Sequence, residues 1–543
     1  MGLKNTTIGK YLKDTANSFP DNIAIMCQEE EKVFTWSMVD KLSDEYAKGM
    51  IALGLRKGDH MAIWASNKLE WVLCFLAASK IGVCTVTVNI NYRLEEVERL
   101  LEQSDAKAIV FMDGFRDIDY IDIIHRIRER ALKGLNKLGP LLKYFIHFGL
   151  RKCPNAIEIE ELLYMAKDIT EAQLNYYMDM LDTHDVINIQ FTSGTTSTQK
   201  GVMLTHYNLI NNSYHTGKVL NLSYEDRLCL AVPFFHCFGL SAGILLCIGS
   251  GTTMVLVECY RAIKVMETIS SLECTALHGV PTMFSRILEH PDFYKYDFST
   301  LRTGIVAGSS CNEKTIRGII EKLGMKEVEI GYGQTESSPG CTQTFADDPI
   351  EKKVNTIGKP LPHIEMKVVD IETGKDCPSG VLGELCTRGY HVMKGYYKNE
   401  ILTRRAIDRG GWLHTGDIGF VDDEGYYHIC GRLKDMIIRG GENISPMEIE
   451  ECIIQHPKIK NAQVYGVPQE SYGEEVAASI QLKDGCELEI QEIKDFLSDR
   501  LAHYKIPKYI EFCDGFPITA NGKVKKYVLK ENMIKKMKNI SFF

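Results

Sequence analysis

The chain has 543 residues, of which 45% are hydrophobic and 25% are charged, and its formal net charge is −9. This composition is typical of a folded globular protein and excludes a disordered chain, a collagen or a coiled coil. The negative balance also argues against sequence-independent binding of nucleic acid, which needs a basic surface. Because one hydrophobic core stops growing at roughly 250–300 residues, we expect about three or four structural units.

The 17 cysteines are scattered along the chain, and none forms a C-x-x-C pair. This spacing gives no support for a zinc ribbon or a thioredoxin-type redox site. It is typical of reduced thiols, so we expect a cytoplasmic protein. The first twenty residues show neither the apolar region of a signal peptide nor the pattern of a transit peptide.

The stretch from Leu228 to Val257 has no Asp, Glu, Lys or Arg and is long enough to suggest a membrane span. It contains Pro233, however, and the cluster Gly249-Ser250-Gly251 separates an apolar run from a β-branched run. A buried helix, a turn and a buried strand explain this pattern better. We therefore expect no transmembrane segment.

The first part of the chain alternates between helix and strand patterns. Helical spacing predicts a helix over 35–53, with Ser37 as its cap and Gly54 as its end. A strand at 61–65, a helix at 69–80 and a strand at 83–88 then predict a parallel pair with a right-handed crossover. Further strands are predicted at 108–112, 186–191, 227–232, 275–280 and 303–307, and a basic helical segment at 116–152.

From about Asp370 the pattern changes to short strands with glycine-rich turns, such as Asp423-Glu424-Gly425. After Arg432 a helix is predicted to start at Pro446, with Ser445 as its cap and Glu448 completing a capping box. Strands at 462–467 and 476–482 and a helix at 488–501 follow. This part is expected to form a separate α+β unit of about a hundred residues.

The most informative segment is a strand at 186–191 followed by a loop rich in hydroxyl groups. Glycines let backbone N–H groups approach an anion, hydroxyls donate hydrogen bonds, and a lysine supplies charge. This combination predicts a phosphate-binding loop, although Gln199-Lys200-Gly201 does not fit a Walker A loop. A polar surface loop is the alternative. The phosphate-binding candidates are Thr192, Ser193, Gly194, Thr195, Thr196, Ser197, Thr198, Gln199 and Lys200.

This loop resembles the signature of the AMP-forming adenylating enzymes, the superfamily of acyl-CoA synthetases, luciferases and peptide-synthetase adenylation domains. Ser197 and Gln199 stand where the family usually has Gly and Pro, which would reshape the tip of the loop. Other motifs follow in the family's order over nearly the whole chain. They are Gly308-Ser309-Ser310, Gly331-Tyr332-Gly333-Gln334-Thr335-Glu336, Thr415-Gly416-Asp417, Gly431-Arg432-Leu433-Lys434-Asp435 and Pro517-Ile518-Thr519-Ala520-Asn521-Gly522-Lys523.

The resemblance implies roles in ATP binding and catalysis. Tyr332 would stack on adenine, and Thr335 would bond the α-phosphate. Glu336 and Thr195 would bind Mg²⁺, for which carboxylate and hydroxyl oxygens are suitable ligands. Lys523 would be the catalytic lysine that bridges the substrate carboxylate and the α-phosphate. The remaining adenine and ribose candidates are Gly308, Ser309, Ser310, Gly331, Gly333, Asp417 and Arg432.

The resemblance is greatest to medium-chain fatty acyl-CoA synthetases, through Arg439-Gly440-Gly441-Glu442-Asn443-Ile444, Gly389-Tyr390 and Pro233-Phe234-Phe235-His236-Cys237-Phe238-Gly239. It implies a hinge at Lys434 and a CoA channel at Gly440, Gly441 and Glu442. The candidate acyl pocket is apolar. Its residues are Phe235, His236, Val280 and Thr282.

The implied fold is α/β. A large N-terminal domain of several subdomains, residues 1–432, would hold mixed and parallel sheets sandwiched by helices. A small mobile α+β domain, residues 433–543, would carry the catalytic lysine. The implied reaction uses ATP and Mg²⁺ to turn a carboxylic acid into acyl-AMP and pyrophosphate, and then transfers the acyl group to CoA with release of AMP. A medium-chain fatty acid is expected, and an aryl, alicyclic or other carboxylic acid is the alternative.

Two functions of other classes compete with this interpretation. Gly239-Leu240-Ser241-Ala242-Gly243 fits G-x-S-x-G, the nucleophile elbow of serine hydrolases, which requires a strand before Ser241 and a helix after it. A non-catalytic nucleotide-binding protein on the same fold is the second. Loss of Glu336 or Lys523 would indicate it, and both residues are present.

Overall fold

The computed structural model describes residues 2–192, 199–309, 311–439, 442–469, 473–498, 500–501, 503–518 and 524–540. By its internal contacts the chain divides into two compact units. The first unit comprises Met1–Met366 with Thr387–Leu413, and the second comprises Lys367–Cys386 with His414–Phe543. The predicted domain boundary between residues 432 and 433 marks the point about which the C-terminal domain is expected to rotate. This division by contacts does not test it, so the boundary stays a prediction.

The first unit is built on two large mixed sheets. Within its described residues one sheet has nine strands and the other has eight. In spatial order the first consists of Lys359–Pro360, Gly340–Gln343, Glu327–Gly333, Thr303–Ala307, Ala276–Leu277, Arg227–Leu230, Thr253–Leu256, Ile23–Cys27 and Lys32–Thr35. The second consists of Gly395–Tyr396, Lys200–Thr205, Val186–Thr192, Cys84–Thr87, His60–Trp64, Ala106–Phe111, Tyr144–His147 and Ile157–Glu158. A short ribbon pairs Gly114–Phe115 with Ile118–Asp119.

Both sheets have parallel centres. The first sheet has an antiparallel strand at each edge, whereas the second is antiparallel at its Gly395–Tyr396 edge and parallel at its Ile157–Glu158 edge. In the first, the strands from Glu327–Gly333 to Ile23–Cys27 run parallel. In the second, Val186–Thr192 pairs in parallel with Cys84–Thr87 and antiparallel with Lys200–Thr205. Parallel strands need crossover connections, and helices supply them. The α-helices of this unit are Ile8–Ser18, Trp36–Leu53, Leu69–Ile81, Leu94–Gln103, Tyr120–Leu132, Ile159–Met165, Glu171–Asp179, His206–Val219, Cys237–Gly239, Leu246–Ser250, Ala262–Leu272, Pro281–Leu288, Glu313–Glu321, Ile350–Asn355 and Glu400–Ala406.

The predicted parallel pair with its connecting helix near the N-terminus is confirmed. His60–Trp64 and Cys84–Thr87 are parallel neighbours joined by the helix Leu69–Ile81, which is mostly apolar and almost wholly buried. The cap predicted for the preceding helix is wrong. Thr35, not Ser37, accepts the hydrogen bond from the backbone N–H of Met38.

The basic segment 116–152 is only partly helical. Its helix covers Tyr120–Leu132, and Tyr144–His147 is instead a strand parallel to Ala106–Phe111. Burial explains the difference, because Ile146 and His147 are fully buried in the sheet. Here the tertiary position of the segment outweighs its charged, helix-favouring composition.

The uncharged stretch 228–257 forms core elements, as predicted. A π-helical turn at Leu240–Leu245 continues into the helix Leu246–Ser250, and Gly251 ends it in a left-handed conformation with φ of 73°. The strand Thr253–Leu256 follows inside the nine-stranded sheet. Among the described helices, none combines the length and hydrophobicity that crossing a membrane requires.

The second unit contains most of a four-stranded sheet and a five-stranded sheet, counted over its described residues. The four strands are Ile364–Val369, Gly383–Gly389, Leu413–Val421 and Tyr427–Arg432. The five are Glu442–Ile444, Ile437–Arg439, Gly473–Leu482, Ile459–Gln469 and Tyr509–Phe512. Helices Pro446–Ile454, Ile490–Ser498 and Lys526–Ile540 accompany them.

The predicted capping box at the helix Pro446–Ile454 does not form. Ser445 makes no capping hydrogen bond and donates its hydroxyl to the carbonyl of Cys430. Glu448 accepts from Lys505 instead, at 2.6 Å. Pro446 is at the start of the helix, as predicted. The Gly425 turn is also confirmed, with φ of 82° between two antiparallel strands.

The lysine-rich C-terminal segment forms the helix Lys526–Ile540. Three of its lysines pair with acidic side chains of the same unit. Lys526 lies 2.6 Å from Glu450, Lys530 lies 3.0 Å from Glu474, and Lys536 lies 2.6 Å from Glu511. These three lysines therefore connect the helix to acidic residues of its own unit.

Candidate active site

Both ends of the phosphate loop are held by a pair of antiparallel strands. Thr192 and Lys200 face each other where the antiparallel strands Val186–Thr192 and Lys200–Thr205 end. Residues Ser193, Gly194, Thr195, Thr196, Ser197 and Thr198 lie outside the described residues. Gln199, one of the two departures from the family pattern, donates from Nε2 to the phenol of Tyr92 at 2.8 Å. The base of the loop is thus tied to a side chain that the sequence did not single out.

Glu336, the predicted Mg²⁺ ligand, is held by a tyrosine from a distant part of the chain. The phenol of Tyr396 donates to Oε1 of Glu336 at 2.9 Å. The backbone N–H of Met393 also donates to the carbonyl of Glu336 at 2.9 Å. The side chain and the main chain of Glu336 are therefore both fixed by the segment 393–396.

Lys200 lies against the same tyrosine. Its Nζ is 5.1 Å from the centroid of the Tyr396 ring, within the range of a cation–π contact. Burial, with a smaller contribution from the Glu336 carboxylate, holds the pKa of Tyr396 well above its usual range. Tyr396 therefore remains a neutral hydrogen-bond donor at physiological pH and bridges the lysine of the phosphate loop to Glu336.

Sheet register explains how these groups meet. Gly395–Tyr396 is the edge strand of the eight-stranded sheet, and it pairs antiparallel with Lys200–Thr205. Tyr396 is opposite Val202, two residues after Lys200. Alternate residues of a strand project from the same face, so Lys200 and Val202 share one side of the sheet.

The adenine motif ends the strand Glu327–Gly333, and Thr335 begins a 3₁₀ turn over Thr335–Ser337. A side chain at Gly333 would place its Cβ 1.7 Å from the carbonyl oxygen of Pro339, so only glycine fits there. Tyr332 and Thr335 are half-buried. The local backbone thus holds this motif in a tight turn next to Glu336.

The other adenine segment and the candidate acyl wall are neighbours. Gly308 has φ of 90°, and a Cβ there would lie 3.3 Å from Cγ1 of Val280. Ser309 is exposed, whereas Ser310 lies outside the described residues. Val280 precedes the helix Pro281–Leu288 and is half-buried. The structure therefore brings the Gly308 turn and Val280 together within the first unit.

The remaining acyl-pocket candidates differ in exposure. Phe235 is buried and its ring centroid is 4.4 Å from that of His236, which is half-buried. Thr282 is exposed in the first turn of Pro281–Leu288. Phe235 and His236 thus form one local aromatic pair, while Thr282 faces solvent.

Asp417 and Arg432, the predicted ribose pair, are cross-strand partners in the second unit. Register places them opposite each other on Leu413–Val421 and Tyr427–Arg432. Nε of Arg432 lies 2.9 Å from Oδ1 of Asp417, and the two side chains are 45% and 2% exposed. The guanidinium offsets part of the cost of burying a carboxylate, whose oxygens can accept hydrogen bonds from hydroxyl groups.

The other predicted residues of the second unit are only partly described. Lys434 is exposed in the 3₁₀ turn Leu433–Asp435. Glu442 begins the strand Glu442–Ile444. Gly440, Gly441 and Lys523 lie outside the described residues. Their roles stay predictions.

The hydrolase alternative is wrong. Ser241 is fully buried inside the π-helical turn Leu240–Leu245, after the short helix Cys237–Gly239 rather than after a strand. Its hydroxyl is 3.5 Å from the carbonyl of Leu209. A nucleophile elbow needs an exposed serine at a sharp strand-to-helix turn.

Family models match both parts of the chain. The AMP-binding enzyme model matches residues 12–397, and the model of the AMP-binding enzyme C-terminal domain matches residues 448–523. The chain is 47% identical to the putative acyl-CoA synthetase YngI of Bacillus subtilis, over 99% of each protein. It is 39% identical to the mitochondrial medium-chain acyl-CoA ligase ACSF2 of Mus musculus, over 99% of this chain and 89% of that protein.

Solved structures of CoA ligases share the fold. ATP-bound MatB from Rhodopseudomonas palustris matches with a TM-score of 0.85 and 27% identity, over 97% of this chain and 99% of that one. The anthranilate CoA ligase AuaEII in complex with anthranoyl-AMP matches with a TM-score of 0.85 and 26% identity, over 98% of each chain. The α/β fold with a separate C-terminal domain, predicted from the motifs, is confirmed.

The chain belongs to the AMP-binding enzyme family. Within it the chain is an AMP-forming acid–CoA ligase, an enzyme that uses ATP and CoA. A non-catalytic nucleotide-binding protein is therefore no longer a competing interpretation. Sequence reasoning missed Tyr396 and Tyr92, because neither belongs to a quoted motif and only sheet pairing brings them to Glu336 and Gln199.

Proposed function

We propose that the enzyme activates a medium-chain fatty acid with MgATP and transfers the acyl group to CoA. The observation that supports the substrate class most directly is the 39% identity to a relative named medium-chain acyl-CoA ligase, over nearly the whole chain. The buried aromatic ring of Phe235 beside His236 fits an apolar acyl chain. An aryl, alicyclic or other carboxylic acid is the alternative.

The first half-reaction joins the acid to AMP. A carboxylate is a poor acyl donor, since oxide would be its leaving group. Attack of its oxygen on the α-phosphorus of ATP breaks the bond to the β-phosphate, releases pyrophosphate and gives acyl-AMP, from which AMP can leave in the next step. Catalysis of phosphoryl-type transfer depends mostly on positioning and on charge placed in advance. In this proposal Lys523 bridges the carboxylate and the α-phosphate, and Thr335 bonds the α-phosphate.

The triphosphate is assigned to the loop from Thr192 to Lys200. The Lys200 ammonium, held over the Tyr396 ring, supplies fixed positive charge at one end of the loop. Glu336 offers a half-buried carboxylate held by a neutral donor, which fits a hard divalent ion such as Mg²⁺. Mg²⁺, when bound, neutralises charge on the phosphate oxygens.

Adenine and ribose are assigned to the remaining motifs. Gly308, Ser309, Ser310, Gly331, Tyr332 and Gly333 would contact adenine, and Asp417 with Arg432 would hold the ribose hydroxyls. Nε of Arg432 lies 2.9 Å from Oδ1 of Asp417, so a positive charge stands beside the buried carboxylate. These contacts would lower the barrier by fixing the nucleotide before reaction.

The second half-reaction needs a thiol at the acyl carbon, and Lys523 would withdraw to admit it. The proposed movement is a rotation of residues 433–543 about Lys434, which brings Gly440, Gly441 and Glu442 to the CoA channel. Rotation about a few residues is a common mode of domain movement. Exposure of Lys434 in a short 3₁₀ turn is consistent with a hinge.

The proposal of a cytoplasmic location rests on the cysteines. All 17 have free thiols, and most are buried. Structural thiols of this kind persist in a reducing compartment.

The decisive experiment measures pyrophosphate release over a panel of acids, with and without CoA. The panel contains saturated fatty acids of increasing length, benzoate and a cyclohexane carboxylate. We expect the highest kcat/KM with medium-chain acids and acyl-CoA formation only when CoA is present. A preference for benzoate or for the alicyclic acid would favour the alternative substrate class.

A further inference from the structure

Three side chains with metal-binding atoms meet in the second unit, on the strand that carries Asp417 and on its neighbour. Glu384 and Cys386 are two residues apart on the strand Gly383–Gly389 and so share one face of the sheet. His414 belongs to the neighbouring strand Leu413–Val421. One ligand atom of each residue lies within 4.8 Å of the other two.

The distances approach those of a tetrahedral site. Sγ of Cys386 is 3.5 Å from Nδ1 of His414. Zinc bonds of about 2.3 Å to sulfur and about 2.0 Å to nitrogen, at a tetrahedral angle, separate the two ligands by about 3.5 Å. Nδ1 of His414 and Oε2 of Glu384 are closer, at 2.7 Å, so these two atoms would have to separate by roughly half an ångström to admit an ion.

The burial of the three groups also fits a metal site. Cys386 is fully buried, whereas the side chains of Glu384 and His414 are 14% and 33% exposed. A site of this kind is closed on the sulfur side, and its more exposed imidazole side is where a fourth ligand such as water would bind. A thiolate, an imidazole and a carboxylate together select zinc-like ions over magnesium.

We propose that Cys386, His414 and Glu384 form a binding site for a zinc-class transition-metal ion, separate from the Mg²⁺ that accompanies ATP. Binding forms bonds to Sγ, Nδ1 and one carboxylate oxygen. The Cys386 thiol releases its proton to solvent, while His414 binds as the neutral imidazole. No electron is transferred.

The position of the site couples it to the ribose pair. Oε1 of Glu384 accepts from the backbone N–H of Gly416 at 3.0 Å. Thr415 donates to the carbonyl of Leu385 at 2.6 Å and accepts from the N–H of Asp417 at 3.1 Å. An ion on Glu384 would therefore fix the carboxylate that holds the turn before Asp417.

The test uses the full-length protein after treatment with a chelator. Cobalt(II) is the probe, because tetrahedral cobalt with a thiolate ligand shows visible ligand-field bands and a near-ultraviolet charge-transfer band. Titration is followed by displacement with zinc, and bound metal is counted after dialysis. The variants are Cys386→Ser and His414→Asn, and Cys377→Ser is the matched control because Cys377 lies in the same unit outside the cluster.

We expect wild type and Cys377→Ser to bind one equivalent with both kinds of band, and zinc to abolish them. Cys386→Ser should lose the charge-transfer band, and both cluster variants should bind at least tenfold more weakly. Absence of the tetrahedral spectrum from wild type would overturn the proposal without reference to any variant's folding, and so would unchanged binding by folded Cys386→Ser. Neither result bears on acyl-CoA formation, which the acid panel tests separately.

Discussion

Tyr396 donates a hydrogen bond of 2.9 Å to the carboxylate of Glu336, from a position sixty residues later in the chain. The ring of the same tyrosine supports Nζ of Lys200 at 5.1 Å. One side chain thus orients the lysine that ends the phosphate loop and the carboxylate proposed to bind Mg²⁺. Since burial keeps this tyrosine protonated, the link persists across the physiological pH range.

The first prediction concerns this bond. Tyr396→Phe keeps the ring under Lys200 and removes only the donor to Glu336. A hydrogen bond to a charged group contributes about 1.5–3 kcal/mol, so we expect kcat/KM for pyrophosphate release to fall roughly ten- to a hundredfold. The apparent KM for Mg²⁺ should also rise in this variant. It is measured by titrating Mg²⁺ at saturating ATP and acid.

Tyr397→Phe is the control for that variant. Tyr397 is the next residue and donates its phenol to Asp105 at 2.6 Å, so its loss removes a comparable bond that does not involve Glu336. Its Mg²⁺ dependence should match that of wild type. Equal Mg²⁺ dependence in all three proteins would contradict the role given to Tyr396.

The second prediction concerns the ribose pair. Asp417→Asn removes the charge that faces Arg432 at 2.9 Å and weakens acceptance from the ribose hydroxyls. We expect the KM for ATP to rise about ten- to a hundredfold, as for loss of a charge-assisted hydrogen bond. The ratio of kcat/KM for ATP to kcat/KM for 3′-deoxy-ATP should be smaller in the variant than in wild type.

Asp423→Asn, at the exposed hairpin turn between the same two strands, is the matched control. It should leave nucleotide preference unchanged. An equal rise in KM for ATP and 3′-deoxy-ATP in Asp417→Asn would show that Asp417 does not bind the 3′-hydroxyl.

The sequence predicted the parallel centre of the fold well, and the reason is local. The strand, helix and strand over residues 60–87 can be recognised from the spacing of their hydrophobic residues, from their lengths and from the glycine that ends the helix. None of these features depends on the rest of the chain. The strand Tyr144–His147 was missed because its charged neighbours favour helix, and only burial in the sheet decides its conformation.

In the candidate site, too, the sequence predicts residues that belong to contiguous motifs and misses residues that only the fold brings together. Contiguous motifs predicted roles for Glu336, Asp417 and Arg432 without any structure. Tyr396 could not be found in this way, since its role arises from pairing of Val202 with Tyr396 across almost two hundred residues. The cluster of Cys386 and His414 escaped for the same reason, because its members are separated by 28 residues on two strands and match no metal-binding spacing.

The third prediction is a pH dependence of stability that comes from Glu329. This side chain is fully buried on the strand Glu327–Gly333, and burial raises its pKa from 4.5 to about 8, opposed by hydrogen bonding from Gln343 and by the charge of Lys353. The folded state therefore keeps a proton that the unfolded state releases above about pH 4.5. This contribution to stability is complete below that pH and is lost as the pH rises to about 8.

Glu329→Gln replaces the titrating acid with a neutral side chain of similar shape. We expect the melting temperature of the variant to rise relative to wild type as the pH increases from about 5 to about 8, and the difference to level off above that. Glu327→Gln is the control, because Glu327 is on the same strand but pairs with Arg302 at 2.5 Å near the surface. A constant difference between Glu329→Gln and wild type over this range would show that Glu329 does not titrate there.

The fourth prediction separates the two half-reactions. Lys523→Ala should reduce acyl-AMP formation by roughly a hundred- to a thousandfold, since it removes the charge proposed to bridge both reacting groups. Thioester formation from supplied acyl-AMP and CoA should remain within a few-fold of wild type. Lys535→Ala, at an exposed position of the helix Lys526–Ile540, should affect neither step. Equal loss of both steps in Lys523→Ala would contradict its assignment to adenylation alone.

The fifth prediction concerns the hinge. Lys434 is exposed in the turn Leu433–Asp435, and rotation at this residue requires free φ and ψ. Lys434→Pro fixes φ near −65° and also restricts the preceding residue. We expect acyl-AMP formation to persist in this variant and acyl transfer to CoA to fall by at least tenfold, measured in separate single-turnover assays. Lys434→Ala keeps the backbone free and should transfer the acyl group normally, whereas a normal rate in Lys434→Pro would place the rotation elsewhere in the chain.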